Sequence, residues 1–347
     1  MPKMEAILDC LAASYRLDLD GADYVRHLAE EAAPLLDRGL GVMAYTYDAS
    51  DPARSPVIDH FATSKRFDPR WLPAFYEAVQ AAGIDSKPEH PAGFHAWGHL
   101  MCGQASAIPE MRPFLPLFAQ VGGARDTVAL NALDASGRGL WLGAAMRSTA
   151  KVPAEHFALF TRLAAHLTSA VRLRRNAGTS KPRAAAVLSP DGALLHAEEG
   201  EGVVDAREEL RRAALAFDQA RTKKARADVD LATRRWRPLV ATRWALLDDF
   251  DSDGKRFVVA VENDPPTRPP RKDLSEREHQ VITQAHLGRT DKVIAYELGL
   301  SVSTVRVLLH RAIRKLGVAT RREALARFDA LTKEREAKER EAKGPSR

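Results

Sequence analysis

The chain has 347 residues, 45% of them hydrophobic and 28% charged, a balance that reads as a folded globular protein of roughly two to three domains. The expected location is the cytoplasm. No apolar run approaches the roughly 20 residues of a membrane span, the start Met1-Pro2-Lys3-Met4-Glu5 is unlike a signal peptide, and the two cysteines, Cys10 and Cys102, fit a reducing compartment. The net charge of +6 is unevenly placed: residues 265–347 hold 19 Lys and Arg against 11 Asp and Glu, and the rest hold 33 against 35, which points to a polyanionic partner at the C-terminal end.

Ala6, Ile7, Cys10 and Leu11, then Tyr24, Val25, Leu28 and Ala32, recur at helical spacing. Residues 41–47 and 57–62 read as strands joined by an Asp/Pro/Ser turn. Residues 127–133 and 140–146 read as a second strand pair around Asp134-Ala135-Ser136-Gly137-Arg138-Gly139. A helix is expected from Ala154 to about Arg172, with Phe157, Phe160, Leu163, Leu167 and Val171 on one face as a candidate dimer contact. Residues 1–173 thus make one α+β segment, similar in outline to a GAF-type sensor domain. Trp71, Phe75 and Tyr76 are expected in its core.

A polar break at 174–183 leads to a smaller α+β segment, 184–262, similar in outline to a PAS-type domain. It opens on a hairpin with a Pro190-Asp191-Gly192 turn and continues with a helix from about Ala206 to Lys224. It closes on strands 244–250 and 256–261 around Ser252-Asp253-Gly254. Residues 263–272 follow as a semi-rigid linker, with four prolines among positions 265–270.

The segment 273–330 is expected to be an all-α bundle, which makes the whole a multidomain chain. Ser275 and Glu278 form a capping box that starts a helix carrying Val281, Ile282 and Ala285 inward, and Gly288 ends it. Thr290 caps a second helix burying Val293, Ile294 and Leu298. After Gly299, Ser301 caps a third, with Val305, Leu308, Leu309, Ala312, Ile313 and Leu316 facing the core. Two short helices joined by a tight turn behind a supporting helix is the helix-turn-helix layout. Arg306, His310 and Arg314 recur every four residues on the outer face, flanked by Arg311 and Lys315. Such a face fits the major groove, where arginine donates two bonds to guanine.

Leu274-Ser-Glu-Arg-Glu278, Lys292 to Ala295, Gly299-Leu300-Ser301, Thr304-Val305-Arg306 and Lys315-Leu316-Gly317-Val318 together closely resemble the LuxR-type (FixJ/NarL-type) helix-turn-helix. The resemblance implies double-stranded DNA as partner. It assigns base reading to Arg306, Val307 and His310 and phosphate contacts to Lys292, Ser301, Ser303 and Thr304. A fourth helix near 321–328 would pair two subunits into a homodimer, and RNA polymerase is a candidate partner. Where the family often has histidine this chain has Leu308, so a family-average operator is not expected.

The function expected is therefore a one-component transcriptional regulator whose N-terminal segments respond to an unknown small molecule or protein. No cofactor is expected. No phospho-receiver strand or ATP-binding loop is present, so control by phosphorylation or ATP is not expected. No nucleophile elbow, paired-carboxylate motif or metalloprotease motif is present, so an enzyme is not expected. The alternative is a protein-docking module, or a metal- or haem-sensing one. His95, His99 and Cys102 would share a face if 95–102 were helical, with His90 nearby. The charged tail, 331–347, is expected to be a solvated helical extension.

Overall fold

Asp20 accepts a hydrogen bond from the Asp23 backbone N–H at 2.8 Å, and this cap starts helix α2 (Gly21–Leu36) behind the short α1 (Ile7–Ser14). In the computed structural model the described residues are 4–50, 56–83, 100–134, 136–177, 184–197, 206–220, 222, 227–235, 244–250, 256–262 and 274–343. They fall into two compact units, residues 1–265 and 266–347.

Among the described residues the first unit has two antiparallel sheets. Strands β1 (Gly39–Asp48), β2 (Val57–Thr63), β3 (Cys102–Gln104), β4 (Asp126–Leu133) and β5 (Arg138–Met146) pair in the order β2-β1-β5-β4-β3. Helices α3 (Trp71–Ala81) and α4 (Leu115–Gly122) lie between the strands in sequence, and α5 (Ala154–Ala177) follows the last. One face, with Val42, Ala44, Val128, Leu130, Leu140 and Leu142, is wholly buried beneath α2 and α5. The other carries Met43, Tyr47, Ala129, Trp141 and Ala145 into a second core with Trp71, Phe114 and Phe118 from the α3–α4 side.

Two glycines let the rings of that second core lie flat on the sheet. A Cβ at Gly139 would stand 2.2 Å from Tyr47 Cζ, and one at Gly143 would stand 2.3 Å from Trp141 Cη2. Gly139 is the cross-strand partner of Tyr47, so the phenol ring fills the place of the missing side chain.

The second sheet runs β7-β6-β9-β8, from β6 (Ala184–Leu188), β7 (Leu194–Ala197), β8 (Trp244–Phe250) and β9 (Arg256–Glu262). Helices α6 (Arg207–Ala220) and α7 (Val229–Arg235) lie between β7 and β8 in sequence. Arg256 ties this layer together, donating from Nε to Asp248 at 2.9 Å and from an η-nitrogen to Asp218 on α6 at 2.7 Å.

Helix α5 departs from the sequence expectation in two ways. Every residue from Leu163 to Val171 is buried, because α1 and α7 pack on the side that the sheet leaves open. The face expected to make a dimer contact is consumed within one chain. Arg162 pins α7 there, with 2.6 Å to the Asp230 carboxylate and 2.8 Å to Thr233 Oγ1. The helix also continues past the expected break at 174 to Ala177. Arg174 donates to the carbonyls of Arg16 and Leu19 and lies over the Tyr24 ring, and Arg175 pairs with buried Asp134. Burial pushes the His166 imidazole, bonded to Tyr15 at 2.9 Å, down to about 3. It therefore stays neutral at every ordinary pH.

Trp71 is buried as expected, Phe75 packs against the same cluster and Tyr76 is exposed. The linker 263–272, the turn 251–255 and the histidines at 90, 95 and 99 lie outside the described residues.

Candidate nucleic-acid interface

Among the described residues the C-terminal unit has four helices: α8 (Glu276–His286), α9 (Asp291–Glu297), α10 (Val302–Lys315) and α11 (Arg321–Lys343). Side chains set each start. Ser275 Oγ accepts from the Glu278 N–H at 3.3 Å and Glu278 Oε2 accepts from the Ser275 N–H at 2.8 Å, completing the capping box. Thr290 accepts from Val293 N and Ser301 from Thr304 N, at 3.4 and 3.0 Å. Gly288, Gly299 and Gly317 end the first three helices at φ of 78°, 68° and 70°, the left-handed conformation that glycine adopts without steric cost. A fourth cap was missed in the sequence although its Thr-x-x-Glu signal is present. Thr320 Oγ1 accepts from the Glu323 N–H, and Glu323 Oε2 accepts from the N–H groups of Ala319 and Thr320.

Val281, Ile282, Ile294, Val305, Leu309, Ala312, Ala324 and Phe328 form the core. Packing on it sets α9 and α10 at 105° to one another, inside the range of about 90–120° that marks a helix-turn-helix. Leu308, Ile313 and Leu316 pack at its margin. All nine side chains expected to meet DNA are left exposed: Lys292, Ser301, Ser303, Thr304, Arg306, Val307, His310, Arg311 and Arg314. Ser303, Arg306, His310 and Arg314 follow one another at three- and four-residue steps along α10, and Val307 lies four residues from Ser303 and three from His310, which makes one continuous stripe. The Ser301, Ser303 and Thr304 hydroxyls cluster within 2.8 Å at the positive end of α10, a position that suits a phosphate.

Lys315, expected to flank the stripe, is held elsewhere. Its Nζ lies 2.7 Å from Oε2 of Glu278 on α8. Asp291 was not singled out in the sequence, yet its carboxylate meets two arginines. Arg306 Nε lies 3.4 Å from Oδ2, and Arg321 donates to Oδ1 at 2.7 Å and to the Arg289 carbonyl at 3.2 Å.

The aromatic face of the first sheet is the other chemically suggestive site. Tyr45 stacks on Trp141 with ring centroids 5.3 Å apart, and Trp71 stacks on Phe75 at 5.0 Å. The Trp71 indole Nε1 is buried with no hydrogen-bond partner among the described residues. Tyr47 donates to Asn131 Oδ1 at 2.7 Å.

Cys102 does not lie on a helix. It begins strand β3, and its Sγ is 3.1 Å from Thr161 Oγ1, with burial raising the thiol pKa. Among the described residues no cluster of three His, Cys, Asp or Glu side chains could hold a metal ion, and no single helix is long and apolar enough to cross a membrane.

The family described as bacterial regulatory proteins, luxR family, matches residues 272–328. This segment is a LuxR-family helix-turn-helix domain, of the kind found in DNA-binding bacterial regulators. No curated protein matches the chain. Among solved structures the chain is similar to Escherichia coli SdiA, at 14% identity over 93% of this chain and 95% of that one, with a TM-score of 0.31. A structure of SdiA in complex with octanoyl-rac-glycerol aligns at 13% identity over 95% and 88%, with a TM-score of 0.26.

Proposed function

We propose that this chain is a one-component transcriptional regulator, which binds a specific duplex through α10 and responds to a signal received by its N-terminal unit. The observation that carries this reading is the exposed cationic stripe on α10, presented by a helix pair at 105° within a LuxR-family domain. Arg306, Val307 and His310 read base edges, Arg311 and Arg314 border them, and Lys292, Ser301, Ser303 and Thr304 hold phosphates. The chain acts in the cytoplasm at the nucleoid as a homodimer, with RNA polymerase as its downstream partner, and it is not an enzyme.

The GAF-like and PAS-like reading of the two sheets is the basis for assigning signal reception to the first unit. Support comes from Trp71. A buried donor without a partner among the described residues carries a desolvation cost that a bound acceptor would remove, and the stacked rings around it suit an apolar molecule. The expected signal is thus a largely apolar small molecule with a hydrogen-bond acceptor.

Selection of bound duplexes from a random pool tests the DNA-binding reading: recovery of a shared motif supports it, and recovery of unrelated sequences ends it. Arg306→Ala is then expected to cost roughly 1–3 kcal/mol on the selected site and to relax one base-pair preference. Equal loss on every duplex would make Arg306 a phosphate contact. Lys292→Ala should weaken binding uniformly and lower the salt slope by about one unit, and an unchanged slope would take it off the phosphate contacts.

A further inference from the structure

A carboxylate beside a DNA-reading stripe needs a reason, because it repels the phosphates that the surrounding cations attract. Asp291 opens α9, where the positive helix end favours an acidic side chain. That accounts for a carboxylate at this position but not for the aim of its two oxygens. Oδ1 is taken by Arg321 at 2.7 Å, and Arg321 is itself held by the Arg289 carbonyl. The carboxylate is thereby fixed from α11 and is only 20% exposed. Oδ2 is left facing Arg306, whose side chain is 72% exposed and whose Nε stands 3.4 Å away.

The atom used on Arg306 matters. Guanine is recognised by two parallel donors, and the terminal nitrogens of a guanidinium supply them. A carboxylate on Nε restrains the side chain and leaves both terminal nitrogens free. A long exposed arginine loses much rotamer freedom on binding, and a side chain already restrained loses less.

Resting on the DNA-binding reading above, we propose that Asp291 is a positioning residue for base recognition. It holds Arg306 by Nε in a reading posture, and it is fixed in turn by Arg321 on α11. Discrimination at the base pair read by Arg306 then depends on Asp291, which touches no base. Because Arg321 belongs to α11, the same contact links that helix to the reading side chain.

The test uses the full-length chain and measures affinity for its selected duplex, for that duplex changed at the base pair read by Arg306, and for an unrelated duplex. Asp291→Ala should lower discrimination between the first two about tenfold, while binding to the unrelated duplex stays the same or strengthens. Asp291→Asn separates the two contacts: its carbonyl can still serve Arg321, but its amide cannot accept from Arg306 Nε. It should lose discrimination as Asp291→Ala does while melting like the parent, so the test survives if the alanine variant folds poorly. In an Arg306→Ala background neither change should reduce discrimination further.

An equal change of affinity on all three duplexes would overturn the proposal and leave Asp291 a structural or purely repulsive charge. So would full discrimination in Asp291→Asn. If the parent chain selects no sequence at all, the DNA-binding reading falls first and this proposal with it. If the parent selects normally and Asp291→Asn matches it, this proposal alone falls.

Discussion

Replacing Glu278 by alanine should unfold the C-terminal unit at far lower temperature than the rest of the chain. The carboxylate is buried, with 3% of its residue surface exposed, and it serves two neighbours at once. It accepts from the Ser275 N–H that precedes α8, and it receives the Lys315 ammonium from α10. Removal loses half the capping box and leaves the Lys315 ammonium without its carboxylate. Because the Lys315 side chain is 45% exposed, the pair contributes less than a fully buried one. A total of roughly 2–4 kcal/mol is expected, which for a small domain lowers the melting midpoint by roughly 10–20 °C. All five tryptophans lie outside residues 266–347, so tryptophan fluorescence reports the N-terminal unit while far-UV circular dichroism reports both. The expected result is a new early transition in circular dichroism with the fluorescence transition unmoved. A single unchanged transition would show that the pair contributes nothing.

The same pair has a pH signature. Burial alone would raise the Glu278 pKa, but Lys315 and the two Ser275 bonds outweigh it and hold the group below its usual range. A depressed carboxylate stabilises the fold above its unfolded pKa, and that stability is lost as the pH falls through the folded value. The C-terminal unit of the parent should therefore lose stability on acidification below about pH 4.5, and the alanine variant should lose less over that window.

The second large effect is expected at Gly41. Its φ is +84°, and a Cβ there would stand 2.4 Å from the backbone nitrogen of Phe67 and 2.6 Å from its Cα. Backbone cannot swing aside as a side chain can. The approach is fastened on both sides, since the N–H groups of Gly39 and Gly41 donate to Asp37 and Val42 exchanges bonds with Ser64. Gly41→Ala combines the left-handed penalty of roughly 1–2 kcal/mol with overpacking of roughly 1–3 kcal/mol. Gly83 is the control, with φ +60° and nothing within 4 Å of an added Cβ, so Gly83→Ala should cost only the first of these. Thermal melts followed by tryptophan fluorescence compare them. Equal midpoints for the two variants would refute the close approach at Phe67.

What the sequence disclosed follows the range of the interactions involved. Ser275, Thr290 and Ser301 act on N–H groups three residues away, so their helix starts are local signals, and the exposed stripe on α10 follows from periodicity once those starts are known. Asp291, Arg306 and Arg321 are 15 and 30 residues apart, and no spacing rule announces their meeting. Lys315 belonged by periodicity to the cationic flank, yet a carboxylate 37 residues earlier claims it. In α5 the small residues Ala164, Ala165, Ser169 and Ala170 carry no amphipathic signal. They nevertheless let other helices approach closely enough to bury that side. The shared face of His95, His99 and Cys102 depended on a helix over 95–102, whereas pairing with β4 makes Cys102 a strand residue.

The Arg162 contact bears on how this protein can be dissected. Since α7 covers α5 and is supplied by the second sheet's segment, the first sheet is not a free-standing module. A fragment ending before residue 229 would put part of the Leu163–Val171 surface into water and should be prone to self-association. A chimera that joins this N-terminal body to a different C-terminal domain would need to carry the chain through Glu262, joining after β9 and not after α5.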